Sequence, residues 1–572
     1  MKIEPKYLTL REMLEQYDWT VPEYQRVYSW SKRQFQELLA DIEKAHGQRK
    51  VHFMATIVGQ APMGGTTRSA RRKELVLVDG QQRLTSLVIL LRAVLKNLPE
   101  QQSSDSVRNQ LESLLLPRGG EGPPCLRTNH DPRHILKNYL QTGSSPPALA
   151  RGRRGFIEDN TIATGTTVAE EWAKAHSSNL EEIAETIQNK LTFVLQVMDQ
   201  GADVYRIFET LNSRGLEVGT LDKVRAHLMG VVHRNARGQS RAGATAEIQQ
   251  VWKEIYDQCD QPRLDQDETV RFAARLFSDA AGAKVPGDRE AIRIIHADCA
   301  KSISNALEWS RRLLTVAKAE RQLMLEPHLA GIINIVQARL AAVAICIRFA
   351  RPAERDQALA VWERVAFREF GLLKADARSF VGEFVKFARE VVNQRLSLRD
   401  VTEALLEIRK NDNRRNSVLI DAFVSRDLYT HQPRFVKYAL YKYELSLRQR
   451  DSCDVQELRA DWPSDPEDTI EHVRPRSSVK RSQWDDPFGI NSIGNLVLLP
   501  GKTNSSLQAT DPNGVERNSK ADAYKASEML HTIEVNEVIL HNRHLWELGE
   551  GSSVARRAAK IAQALKRAYP DR

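Results

Sequence analysis

The hydrophobic pattern of the chain mixes two periods near its N-terminus, settles on one through the middle, and becomes irregular again towards its C-terminus. His52 to Val58 and Glu74 to Val78 are runs rich in β-branched and apolar residues, which predict neighbouring strands joined by a Gly- and Arg-rich loop. The second run passes through Asp79 and Gly80 into Leu84, Leu87, Val88, Leu91, Val94, Leu95 and Leu98, a 3.6-residue spacing that predicts a deeply packed helix. Ahead of them, Thr9 to Gln16 suits a short helix and Pro22 starts an extended segment. Ser31 and Gln34 have capping-box spacing before Phe35, Leu38, Leu39 and Ile42 on one helical face. Pro and Gly break up 101–150 around a helix at His134 to Leu140. Leu191 to Met198 predicts a further strand, followed by a helix from Ala202 that closes at Asn212-Ser213-Arg214-Gly215, with glycine in the left-handed position.

From about Leu221 to Gln449 the periodicity is helical throughout, with no repeat of fixed length. At 572 residues the chain exceeds what one core can hold. The pattern divides it into an α+β domain at 1–220, an α-helical coupling domain at 221–450 and a small domain at 451–572. The expected class is α+β, mostly helical.

Charge sharpens this picture. Lys and Arg number 83 against 74 Asp and Glu, a net charge of +9. The excess is clustered at Arg68, Arg71, Arg72 and Lys73, at Arg151, Arg153 and Arg154, and at Arg474, Arg476, Lys480 and Arg481, which suits a polyanionic partner, while for any single cluster a solvated face or loop is an equal alternative. The five cysteines are scattered without a C-x-x-C pair, so neither a disulfide framework nor a zinc ribbon is indicated. The first ten residues lack a signal-peptide core, and no apolar run approaches the roughly 18 residues that span a bilayer. A soluble cytoplasmic protein with no membrane segment is expected.

Candidate chemistry lies at both ends. In VDGQQRLTSL, Val78 to Leu87, a strand stops at Asp79-Gly80 and a helix begins, so first-turn N–H groups and the side chains of Gln81, Gln82 and Arg83 gather at one corner suited to phosphate. The plainer reading makes Asp79 a helix N-cap and places Gln81 and Gln82 on the surface. In VPEYQRVYSW, Tyr24, Gln25, Arg26, Tyr28 and Trp30 either line a polar ligand pocket or cover a sheet edge; a buried Arg26 would need an anionic or stacking partner.

At the other end Glu471-His472 follows a short β-prone lead, with Asn495 and Asn504 beyond it. Oxygen ligands for a hard cation and a neutral imidazole are what a one-metal nuclease needs. Neighbouring strand residues face opposite ways, so a bend or strand end is expected at this pair. Two decoys are set aside. GKTNSS at Gly501 to Ser506 looks like the end of a phosphate loop, but the required earlier glycine is Leu496; His541 and His544 lack the glutamate of an H-E-x-x-H zinc site.

I-E-H-x-x-P, then G-N-L-x-L-L and a later Asn, resembles the HNH (ββα-metal) nuclease domain that ends the GmrSD-family restriction proteins, SspE-like members included. VPEYQRVYSW, VDGQQRLTSL and IFETLNSRG resemble that family's N-terminal ParB/sulfiredoxin-like domain, and FVKYALYKYEL resembles its helical element before the nuclease. The resemblance implies Glu471 and Asn504 as ligands of Mg²⁺ or another divalent metal, His472 as general base, and Asn495 as the residue orienting its loop. It implies a nucleoside triphosphate, GTP or another NTP, held by Arg26, Gly80, Gln81, Gln82 and Arg83, with Asp79 and Arg83 acting in its hydrolysis. Tyr24 and Gln25 would sense the DNA mark, a glucosylated or otherwise modified base or a backbone phosphorothioate. Lys520 and Tyr524 match a K-x-x-x-Y element whose role is open, as is oligomeric state, a homodimer included.

The expected function is therefore a modification-dependent DNA endonuclease of an anti-phage restriction system, its cleavage of double-stranded DNA regulated by the N-terminal NTPase. The competing expectation is a nucleotide-gated DNA-binding protein without cleavage.

Overall fold

The computed structural model describes residues 5–22, 25, 28–48, 51–62, 72–101, 104–117, 122–128, 134–146, 157–198, 219–259, 265–278, 282–324, 332, 334–408, 412–453, 470–480, 486–499, 507, 510–513, 517–526, 529–541 and 546–571. They form two compact units, one of residues 1–262 with 292–314, the other of residues 263–291 with 315–572. The class is α+β and mostly helical. The helical stretch expected at 221–450 is divided between the units. Among the described residues no helix is long and apolar enough to cross a membrane.

The first unit is built on a six-stranded mixed sheet of order β1-β6-β3-β4-β2-β5. Its strands are β1 (Pro5–Thr9), β2 (Tyr17–Val21), β3 (His52–Gln60), β4 (Lys73–Asp79), β5 (Leu126–Thr128) and β6 (Leu191–Met198). Between β1 and β2 the seven-residue helix α1 (Leu10–Gln16) starts at a capping box, Thr9 with Glu12. The helices α2 (Lys32–Gln48), α3 (Gln81–Asn97), α4 (Asp105–Leu115), α5 (Ile135–Thr142), α6 (Ile157–Ala175) and α7 (Leu180–Asn189) follow in chain order. Helix α3 packs against α4, α5, α6 and α7. That accounts for a sequence apolar on nearly every face, since Leu84, Leu87, Val88, Ile89, Leu90, Leu91 and Val94 are all fully buried. β3 and β4 are antiparallel neighbours, as their patterns predict, with Asp79 opposite Val58.

The second unit is helical until its last part, where β7 (Ile470–His472) pairs antiparallel with β8 (Leu496–Leu498), His472 opposite Leu496. Helices Arg517–Ala526, Leu530–His541 and Ser553–Ala568 complete it. Val473, Val497, Leu499, Tyr524, Trp546 and Val554 form a core cluster in this last part. Gly494, in the 3₁₀ turn Ile493–Asn495 that leads into β8, must be glycine, because an added Cβ would lie 2.1 Å from the Val554 carbonyl oxygen. Buried Arg557 then donates from Nη1 to the carbonyls of Gly494 at 3.0 Å and Leu496 at 2.7 Å, fixing the turn to the last helix.

Candidate functional site

β7 stops at His472, and its last two residues serve different neighbours. Glu471, 7% exposed, places Oε1 2.9 Å from Nζ of fully buried Lys520. The same ammonium donates to the carbonyls of His472 at 3.1 Å and Thr510 at 3.0 Å. Burial pushes the Glu471 carboxyl up, partly opposed by Lys520, and lowers Lys520 in turn.

His472, 8% exposed, faces Asn491 and Tyr429. Asn491 Nδ2 donates to Asp427 Oδ2 at 2.9 Å and Thr430 Oγ1 at 3.2 Å. The atom facing His472 Nε2 at 3.1 Å is therefore the acceptor Oδ1, which assigns the ring proton to Nε2 and the lone pair to Nδ1. Tyr429 meets the imidazole edge-on at 4.4 Å between centroids, and the Arg476 guanidinium lies over the Tyr429 ring at 5.4 Å. Burial lowers His472 to about 4, with Asn491 and Asp427 opposing and Arg476 and Lys520 adding to the shift. The imidazole is neutral at pH 7, which is the state a proton acceptor requires.

Asn495 is fully buried and clamps the loop after His472. Its Oδ1 accepts from the Arg474 N–H and from Trp546 Nε1, both at 2.9 Å, while Nδ2 donates to the carbonyls of Arg474 at 3.1 Å and Ile490 at 2.8 Å. Asn504 lies outside the described residues. Among the described residues no cluster of three or more His, Cys, Asp or Glu could hold a metal. Of the expected pair of oxygen ligands, Glu471 is the described one, and its carboxyl group is engaged by Lys520.

At the N-terminal corner, Gly80 occupies the helix N-cap with φ of 97°, a left-handed conformation that disfavours a side chain. Asp79 is the last residue of β4, and its Oδ1 accepts the Gly80 N–H at 2.7 Å. The N-cap role considered for Asp79 thus belongs to Gly80, because strand pairing with Val58 holds Asp79 in the sheet. Gln81 and Gln82 are buried, and Gln82 Oε1 accepts the Ser29 N–H at 2.9 Å, so neither is a surface residue. Arg83 is exposed.

Buried Gln25 donates from its amide to the Leu77 carbonyl, and Arg225 Nη1 donates to the Gln25 carbonyl at 3.3 Å. Tyr28 is buried against Ser86, with hydroxyls 2.7 Å apart, and Trp30 is buried in the same core. These two aromatics are packing residues. Tyr24, Arg26 and the segment IFETLNSRG lie outside the described residues. Of the basic clusters, Arg72 is tied to the Leu114 and Ser113 carbonyls, and Arg474 to Ser478 and the Trp546 carbonyl.

Asn491 and Asp427 are missing from the sequence-based candidate set. Asp427 carries a legible local signal, an Asp at the start of a short helix accepting the Thr430 N–H at 2.9 Å. Nothing local links it to Asn491, 64 residues away.

Residues 10–229 match the model of the GmrSD restriction endonuclease N-terminal domain, and residues 413–550 match that of the GmrSD restriction endonuclease C-terminal domain. The second match takes in Asp427, Thr430, His472, Asn491, Asn495 and Lys520 together. A comparison with curated proteins finds no match.

Proposed function

The chain belongs to the GmrSD restriction endonuclease family, and from that premise we propose that it is a modification-dependent DNA endonuclease acting on invading phage DNA. The observation that carries this reading is His472, a buried neutral imidazole with Nε2–H committed to Asn491 and Nδ1 left as the basic nitrogen. Nδ1 takes a proton from water as the water oxygen bonds to the scissile phosphorus; the ester P–O bond opposite breaks, its electron pair leaves with the sugar oxygen, and that alkoxide takes a proton from solvent water. Glu471 and Asn504 would hold a divalent ion such as Mg²⁺, which would supply charge stabilisation at the phosphate. Lys520 keeps the Glu471 carboxylate in place, and Asn495 keeps the loop after His472 in register.

In the same reading the first unit is the regulator, a ParB/sulfiredoxin-like domain that binds and hydrolyses GTP or another nucleoside triphosphate. The N-terminal end of α3 opens at this corner, Arg83 stands exposed on its first turn, and Arg26 follows Gln25 in the sequence. Asp79 orients the attacking water or a bound metal. Gly80 shapes the turn through its left-handed conformation, and Gln81 and Gln82 line the helix start, with the Gln82 amide oxygen spent on Ser29. The mark, a modified base or a phosphorothioate, is assigned to the neighbourhood of Tyr24 and Gln25.

A plasmid-nicking assay with Mg²⁺ or Mn²⁺, with and without nucleotide, on marked and unmarked DNA tests the whole reading. Metal-dependent cleavage that responds to nucleotide and to the mark is expected. Retained DNA binding without nicking under every condition would replace it with the nucleotide-gated DNA-binding protein.

A further inference from the structure

His472 does not stand alone behind its strand. Its Nε2–H points to Asn491 Oδ1, Asn491 Nδ2 points to Asp427 Oδ2, and Asp427 Oδ1 is fixed by the Thr430 N–H at the start of the helix Leu428–His431. We propose that Asn491 and Asp427 are positioning residues, a relay that sets the His472 tautomer and leaves Nδ1 as the proton acceptor. The inference rests on the reading of His472 as the base.

The chain of bonds has a fixed polarity. A carboxylate only accepts, so Asp427 draws the amide nitrogen of Asn491 towards itself; Thr430 Oγ1 lies on the same side of that amide. The amide oxygen is then turned to His472, and an acceptor opposite Nε2 stabilises the ring form protonated there. His472, Asn491 and Asp427 are 8%, 0% and 9% exposed, so solvent does little to substitute for a missing link. Tyr429, on the helix that Asp427 caps, packs its ring against the same imidazole. One short helix thus supplies both the fixed charge and the wall that orient the ring.

Asp427→Asn separates this role from a structural one. Asparagine caps helices about as well as aspartate, so the helix Leu428–His431 keeps its start. An amide at 427 no longer dictates which way Asn491 faces, and the Nε2–H form loses its advantage. The expected result in the full-length protein is a fall of about 10- to 100-fold in kcat, the range for outer groups that orient a histidine, with KM for DNA and the thermal midpoint unchanged. In ¹⁵N-histidine spectra the His472 signals, identified by their loss in His472→Ala, shift from the Nε2–H pattern to a mixture. Asn491→Ala gives a similar loss, and the double variant loses no more than either single one, because the two residues act as one chain.

Unchanged kcat, unchanged histidine signals, or additive losses in the double variant would each overturn the relay. If His472→Ala itself cleaves at the wild-type rate, the base assignment fails instead. The two failures are therefore distinct.

Discussion

At the end of β4 buried Gln25 and Gln82 bond to the backbone of their own unit, whereas at the end of β7 buried Asn491 bonds to an imidazole and buried Lys520 to a carboxyl group. Gln25 and Gln82 hold the Leu77 carbonyl and the Ser29 N–H, which anchors the extended segment against β4 and α3. Asn491 and Asp427 hold His472 in one tautomer, and Lys520 holds Glu471. The first arrangement uses polarity to build a corner and leaves exposed Arg83 available at its surface. The second buries the candidate groups themselves, Glu471 and His472, and spends polar neighbours on orienting them. Substitutions at the two corners should therefore separate stability from activity in opposite ways.

The largest stability effect belongs to the scaffold behind β8. Glu444 is fully buried and accepts from Arg448 Nε at 2.9 Å, from the Leu530 and His531 N–H groups at 3.0 and 2.9 Å, and from His531 Nδ1 at 2.8 Å. His531 Nε2 in turn accepts the Leu498 N–H at 3.0 Å. Burial pushes the carboxyl up, but the hydrogen bonds from His531 and Arg448 outweigh it and bring Glu444 down to about 2. Because its folded pKa is depressed below the ordinary value of 4.5, its stabilisation is present above 4.5 and is lost as pH falls through about 2. Glu444→Ala should cost about 3–5 kcal/mol in chemical denaturation, and in acid titration it should remove the stabilisation that the carboxylate supplies above its unfolded pKa.

Next comes Gly494→Ala, for which the Val554 carbonyl must move. A loss of about 1–3 kcal/mol is expected, with cleavage lost in proportion to the unfolded fraction and no separate effect on kcat. Gln82→Leu tests the first corner. It leaves the Ser29 N–H without its side-chain acceptor and should cost about 1–2 kcal/mol in the first unit, read by hydrogen exchange at Ser29. The smallest stability effect is that of Arg83→Ala, within about 0.5 kcal/mol of wild type. Nucleotide turnover should nevertheless fall, and unaltered turnover would return the corner to plain helix capping.

The part of the fold set by local pattern was legible. β3, β4 and β6 and the apolar helix α3 follow directly from residue periods, and a strand end at Glu471-His472 from the requirement that neighbouring strand residues can face one site only where the strand bends or stops. β1 and β2 are not in that reading. Tyr17, Trp19 and Val21 do alternate with polar residues, but over five positions between α1 and Pro22, a window too short to compete with its flanks. Burial of Gln81 and Gln82 was also hidden, because amides beside a glycine look solvent-bound until a neighbouring segment supplies partners. At the candidate site Glu471, His472 and Asn495 were visible as a motif in the sequence. Lys520 was visible only as part of a K-x-x-x-Y element without a role, and Asp427 and Asn491 come from distant positions brought together only by packing.

The comparison stands or falls on whether His472 is the hydrolytic base, and single-turnover cleavage of marked plasmid by His472→Ala under saturating Mg²⁺ and nucleotide tests that most directly. The account predicts a fall of about 10²–10⁴-fold with DNA binding and thermal midpoint retained. Cleavage at the wild-type rate by a folded, DNA-bound His472→Ala protein would contradict it.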